Sequence, residues 1–212
     1  MSSVHTNDRR LLPRKLARQE RAQITVEAIL EAASQVFGSL GYASATTNRI
    51  AARAGISIGS LYQYFPNKDA ILVALARQHL TDATAMLAPQ LQRLNEGTLW
   101  EEVLPDVVDA MVAMHAVAPL LHQSLFEETR LPKIVWEELN AQETALVEVI
   151  ARALAADPAC GAKDSRLAAS VVVSVIESLT HRLVLHPPAG TEPAAVAREI
   201  TSLVRAYLRT ST

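Results

Sequence analysis

The 212-residue chain reads as an all-α protein of about nine helices, and three observations carry that reading. Half of its residues are apolar but only nine are aromatic, so alanine, leucine and valine do the packing. That composition favours helices over sheets. Apolar residues recur at helical spacing, and no stretch shows the alternating polarity of a half-buried strand. Of seven glycines, four fall between Gly38 and Gly59, and Gly97, Gly161 and Gly190 stand singly. This is the signature of one turn-rich N-terminal unit followed by long helices with isolated breaks.

Each element follows from its punctuation. Residues 1–20 are polar and basic without a periodic apolar face, so they are expected to form a flexible arm. From Ala22 the residues Val26, Ile29, Ala33, Val36, Phe37 and Leu40 follow the i, i+3/i+4 rule, and Gly38 and Gly41 end that helix. Thr46 or Thr47 caps the next, which Gly55 stops after barely two turns. Ser57 caps a third, ending at Phe65-Pro66 because proline forbids continuation. Asn67 caps a long fourth helix whose buried stripe includes Ile71, Leu72, Leu75, Leu80, Met86 and Leu87. Further helices are expected at 98–115, 119–129, 132–156, 164–185 and 193–209. Gly97, Pro119, Pro132, the Asp157-Pro158 and Gly161 cluster, and Pro187-Pro188 with Gly190 separate them, and Pro105 is expected to kink the fifth helix or to sit in its first turn. The expected division is an arm over 1–20, a three-helix domain over 21–67 and a helical domain over 68–212.

Charge is distributed unevenly. Nine basic against five acidic residues in 1–75 give that part +4, and the net charge of −2 leaves −6 for the remainder. A basic head on an acidic body suits a protein with one polyanion-facing end, because phosphate neutralisation dominates nucleic-acid affinity. The same imbalance also arises by chance in soluble proteins.

Thr47 to Phe65 has the residue types of a helix-turn-helix. Ala51 and Ala54 are small enough for two short helices to cross closely, and Gly55 tolerates the positive φ of a tight turn. Ile50, Ile56, Leu61 and Phe65 can close a miniature core. The opposite face then shows Asn48, Ile58, Gly59, Ser60, Tyr62, Gln63 and Tyr64, short or hydroxyl-bearing groups suited to a DNA backbone and groove.

The run from Ala28 to Leu75 resembles the N-terminal domain of the TetR/AcrR family of transcriptional regulators. Thr46-Thr47, Ile50-Ala51, Ala54-Gly55-Ile56-Ser57, Leu61-Tyr62 and Tyr64-Phe65-Pro66-Asn67-Lys68 carry the resemblance. It implies a DNA-binding regulator, expected to be a repressor that grips a palindromic double-stranded operator as a homodimer and is released by a small-molecule effector. By the resemblance Thr47, Tyr62, Tyr64 and Lys68 contact phosphate and Asn48 reaches a base edge. Ser57, Ile58, Gly59 and Ser60 form the first turn of the recognition helix, where free N–H groups and the helix dipole favour phosphate or base contact. Gln63 is the candidate for direct base readout, since its amide can pair bidentately with adenine. Ile58 either touches a thymine methyl or fills space. Arg14, Arg18 and Arg21 either brush the minor groove or belong to a solvated tail, and Tyr42 is expected to pack.

The resemblance further implies a regulatory domain whose last two helices pair with a second subunit. Segment 164–185 is apolar nearly all round, with Ala169, Ser170, Ser174 and Ser178 as a small-residue strip, so something besides its own core is expected to cover one face. The final helix shows Val196, Ile200, Leu203, Val204 and Tyr207 on one side. Two recognition helices would then lie roughly 34–36 Å apart, one turn of B-DNA. For a small apolar or amphipathic effector, the candidate lining residues are Trp100, Met111, Met114, His115, His122, Phe126, Trp136, Glu177 and His181. Taken singly, each of them is more readily accounted for as an ordinary core or surface residue.

Other classes find less support. Glu148, Glu177, His115 and His181 could supply acid and base groups, but no nucleophile elbow or phosphate loop accompanies them, so no catalytic residue is assigned. A constitutive DNA-binding protein without an effector stays open. His115 and His122 lack the i, i+4 spacing of a helical metal site, so neither metal nor cofactor is expected. Cys160 is the only cysteine, which suits a cytoplasmic home. The stretch after Arg9-Arg10 is too charged for an export signal, and the apolar run from Leu167 to Ile176 is too short for a membrane span.

Overall fold

The structure, a computed structural model, describes residues 14–117, 119–126 and 131–210. Among them are nine helices: α1 Arg14–Ser44, α2 Thr47–Arg53, α3 Ile58–Tyr62, α4 Lys68–Asn95, α5 Trp100–Val117, α6 Pro119–Phe126, α7 Lys133–Ala156, α8 Ser165–Leu185 and α9 Pro193–Thr210. No strand occurs among the described residues. The chain forms two compact units that divide between Leu72 and Val73, inside α4. The expected boundary at 67/68 falls earlier because the first turn of α4 is tied back: Lys68 Nζ donates to the Tyr42 carbonyl at 2.7 Å, and the Tyr42 hydroxyl donates to Asp69.

In the first unit, helix ends follow local chemistry. The Thr46 side chain accepts from the Arg49 N–H at 3.3 Å, and Ser57 Oγ accepts from the Ser60 N–H at 3.0 Å. Each cap satisfies a donor that the helix itself cannot pair, worth about 1 kcal/mol. Gly55 takes φ 69°, the Ile56 N–H returns to the Ala51 carbonyl at 3.0 Å, and the Gly55 N–H returns to Ala52 at 3.3 Å. This paired closure is the Schellman arrangement, and it re-aims the chain into α3. Ile29, Ala33, Phe37, Ile50 and Leu61 are fully buried beneath the turn, with Phe65 nearly so and Ile56 half-buried. Burial of each large side chain contributes about 1.5–3 kcal/mol.

Three expectations need correction here. α1 begins at Arg14, so the end of the anticipated arm is helical; the side chains of Arg14 and Arg18 lie outside the described residues, whereas Arg21 is exposed. Gly41 breaks α1 (φ 72°, ψ 162°), but Gly38 lies within it. α3 stops at Tyr62 rather than Phe65, because the N–H groups of Tyr64 and Phe65 both turn back to the Leu61 carbonyl at 3.0 Å ahead of Pro66.

In the second unit α8 is packed by α5, α7 and α9, and α5 lies against α9. Val103, Val108, Val112, Ala169, Val172, Ile176, Ile200, Val204 and Leu208 form its core. Asp164 caps α8, its Oδ1 accepting from the N–H groups of Arg166 and Leu167, both at 3.0 Å. Arg209 forks onto Glu101 at 2.6 and 2.7 Å, fastening the last turn of α9 to the first of α5. Pro105 lies inside α5. At 21 residues α8 meets the length and composition of a membrane span, contrary to the expectation that this apolar run is too short. What assigns α8 to the core is packing: Ala168, Ala169, Val172, Val173, Ile176 and Thr180 are buried against neighbouring helices.

Candidate nucleic-acid interface and internal cavity

The interface candidates of the first unit sit on α2, α3 and the first residue of α4. Asn48, Ser57, Gly59, Tyr62, Gln63 and Tyr64 are exposed, while Thr47, Ile58, Ser60 and Lys68 are half-buried. Thr47 Oγ1 and the Tyr62 hydroxyl lie 3.1 Å apart, so two hydroxyls from successive helices are held at one point. The Tyr62 side chain remains 51% exposed, which leaves its hydroxyl within reach of a ligand. Ser57 Oγ also meets Ser60 Oγ at 2.8 Å, so both serines are partly spent on the cap. The N–H groups of Ile58 and Gly59 occupy the first positions of α3, where a helix offers no internal acceptor. With five residues α3 has only a small dipole, so any anion contact there falls to these N–H groups.

Two candidates differ from what their residue types suggest. Gln63 is the C-cap of α3, at the opposite end from the first turn. Lys68 is engaged within the unit: besides bonding the Tyr42 carbonyl, its ammonium lies 4.0 Å from the Tyr42 ring centroid. Tyr42 packs as expected, 5.5 Å from Phe37. Burial foremost, and then the hydrogen bond to Asp69, push its phenol well above the usual tyrosine range.

The second unit contains a half-open cavity of about 360 Å³ with a mostly apolar wall, within the size range of small-molecule sites. Trp100, Met111, Met114, His115, Glu177 and His181 line it among many aliphatic residues. Trp136 is 45% exposed and lies off that wall, and the side chain of Phe126 falls outside the described residues. Two polar atoms here are buried without a hydrogen-bond partner among the described residues: Trp100 Nε1 and His115 Nε2. The Glu177 carboxyl is pushed up by burial and by the neighbouring Glu143.

Beside the cavity four of the six histidines converge, one each from α4, α5, α6 and α8. The His115 ring centroid lies 4.3 Å from that of His122 and 4.5 Å from that of His181, and His79 stands edge-on 4.3 Å from His122. Burial pushes His79 and His115 down to about 4 and His122 to about 2, against only partial opposition from Asp82 at His79 and from the Met111 carbonyl at His115. These rings are therefore neutral near pH 7. Sequence reasoning passed over His79, whose place in this group no local spacing discloses.

Comparison with known proteins bears on both units. Residues 29–75 match the family described as bacterial regulatory proteins, tetR family, and residues 100–208 match the tetracyclin repressor-like C-terminal domain. The chain belongs to the TetR family. It is accordingly a DNA-binding transcriptional regulator, and the helix-turn-helix of α2 and α3 is the family's DNA-binding element. The regulator BetI 2 of Chromohalobacter salexigens is 36% identical over 72 residues, spanning 34% of this chain and 35% of that one. UidR of Escherichia coli K12, also an HTH-type transcriptional regulator, is 25% identical over 168 residues, 79% of each chain. Among solved structures, the transcriptional regulator FadR of Bacillus subtilis in complex with stearoyl-CoA superposes with TM-score 0.67 at 19% identity, covering 88% of this TetR-family chain and 98% of that one.

Proposed function

We propose that this TetR-family regulator is a cytoplasmic repressor that binds a two-fold symmetric operator as a homodimer and releases it on taking up a small, mainly apolar effector. The observation that carries the reading is the exposed hydroxyl-rich surface of α2 and α3 over a largely buried miniature core, in a chain with a separate unit containing an apolar cavity. Thr47, Tyr62, Tyr64 and Lys68 would bond phosphates. Asn48, Ile58, Ser60 and Gln63 would face bases, and Gly59 would allow close approach. For Lys68 this means exchanging the Tyr42 carbonyl for a phosphate oxygen, or sharing its three donors between them.

The homodimer reading is supported by a stripe on α8. Leu167, Ser170, Val171, Ser174 and Ser178 recur at helical spacing and are wholly or partly exposed, as is Leu203 on α9. A row of serines bordered by leucine and valine permits a second helix to approach closely, and pairing two copies through one patch is the usual route to two-fold symmetry. The effector reading is supported by the cavity's size and apolar wall, with Trp100 Nε1 and Glu177 as polar anchors. The FadR neighbour bound to stearoyl-CoA is consistent with an elongated amphipathic ligand in this fold.

The test starts by selecting bound sequences from random duplex DNA, then measures mass in solution and screens apolar and amphipathic compounds by thermal shift. The expected result is an inverted repeat with half-site centres about 34–36 Å apart, a dimer in solution, and at least one compound that both stabilises the protein and releases DNA. Selection of an asymmetric single site would refute the dimeric reading. Firm operator binding without any stabilising compound would favour a constitutive DNA-binding protein.

A further inference from the structure

The four-histidine group has a geometry that packing alone does not require. His115 is 1% exposed and His122 2%, and neither sits on an element that brings the other along in sequence. One ring nitrogen each from His115, His122 and His181 lies within 4.8 Å of the other two. His115 Nδ1 is 2.7 Å from the Met111 carbonyl, a distance at which that nitrogen carries the proton and donates. Its Nε2 is then a bare lone pair, buried and without a hydrogen-bond partner among the described residues. An imidazole that donates from one nitrogen to a backbone carbonyl and keeps a bare lone pair on the other, within a group of imidazoles, is held as a metal ligand is held.

We infer that His115, His122 and His181 form a binding site for a borderline first-row divalent cation of the zinc class. Three imidazole nitrogens around one zinc ion at about 2.0–2.1 Å would stand about 3.3 Å apart. The present separations need contract by about 1.5 Å at most, shared among three rings that can turn about their own side-chain bonds. One cation would satisfy the buried His115 Nε2 and draw the three lone pairs together. Imidazole donors select zinc, copper, nickel and cobalt over magnesium and calcium, which prefer oxygen. Three protein ligands leave a coordination position open. Because His115 and His181 also line the cavity, that position is available to an oxygen, nitrogen or sulfur atom of a molecule held there. His79, edge-on to His122, walls the cluster from the side of α4. The site stands whether or not the cavity also takes an organic effector.

The experiment uses the full-length untagged chain, freed of metal with a chelator and titrated with Zn²⁺ against a chromophoric competitor, then separately with Co²⁺. One ion per chain is expected, and Co²⁺ should give the intense visible bands of a four- or five-coordinate ion. His115→Ala, His122→Ala and His181→Ala should each weaken Zn²⁺ at least about tenfold. His186→Ala, an exposed histidine at the end of α8, should leave affinity unchanged. Circular dichroism of each variant separates loss of ligand from loss of fold, and the half-buried His181 is the variant most able to keep its structure. Three results would overturn the inference: no uptake by the stripped wild-type chain, uptake that survives His115→Ala with His181→Ala, or uptake abolished by His186→Ala.

Discussion

Replacing Gly59 by alanine separates a glycine kept for the fold from one kept for DNA. Gly59 lies in α3 without positive φ, and an added Cβ would meet only Ser57 Oγ at 3.8 Å, an ordinary contact. The folded chain therefore has room, and the lower backbone freedom of alanine in the unfolded state should stabilise the first unit by about 0.5–1 kcal/mol. Gly55 supplies the contrast. Its Cβ would meet nothing within 4 Å, but φ is 69°. The cost of Gly55→Ala is then torsional alone, about 1–2 kcal/mol. Two glycines four residues apart should thus respond to one substitution with opposite signs in urea unfolding followed by circular dichroism. Fluorescence anisotropy with a selected operator then reports on function. If α3 approaches the DNA backbone as proposed, Gly59→Ala should raise stability and lose operator affinity by about tenfold, or about 1.4 kcal/mol. Unchanged affinity in a stabilised Gly59→Ala protein would refute the close approach, and destabilisation would refute the reasoning from Cβ space.

Tyr62→Phe removes the hydroxyl that meets Thr47 at 3.1 Å on an exposed side chain; unfolding should shift by no more than about 0.5 kcal/mol, while affinity for operator and unrelated DNA falls together in anisotropy titrations. Lys68→Ala should weaken DNA binding, flatten its salt dependence and also lower stability by about 1 kcal/mol, because the ammonium is bonded to Tyr42; Gln63→Ala should leave stability alone and relax sequence preference when matched and mismatched operators are compared. Leu61→Ala, at a fully buried position, should cost about 2–5 kcal/mol in urea unfolding. Trp100→Phe removes a buried indole N–H that has no partner among the described residues, so its loss of stability should fall short of the about 3–5 kcal/mol typical of truncating a core tryptophan to alanine, and thermal shift by any compound that accepts from that N–H should shrink.

The residues of the helix-turn-helix announced themselves in order because each acts within a few positions of itself. Thr46 and Ser57 close caps three residues on, Gly55 turns the chain where it stands, and Asn67 Oδ1 accepts from the Ala70 N–H at 2.8 Å. For the same reason the later helices begin and end close to their proline and glycine punctuation. Local signals and structure diverge where packing competes with them. Gly38 has the residue type of a terminator but sits in a helix that runs on to Gly41, and α8 is long enough for a membrane yet is held among α5, α7 and α9.

Periodicity, caps and turn residues are properties of short segments, which is why an all-α chain headed by a helix-turn-helix is legible in the residues alone. Tertiary structure alone decided that Lys68 leans on Tyr42, that Trp136 stays off the cavity wall, and that His79, His115, His122 and His181 meet. Those four histidines lie on four helices, and no spacing along one helix encodes their approach. It exists only once apolar faces have packed and carried the rings inward, where burial favours the neutral form of His79, His115 and His122 and the His115 Nε2 has no hydrogen-bond partner among the described residues.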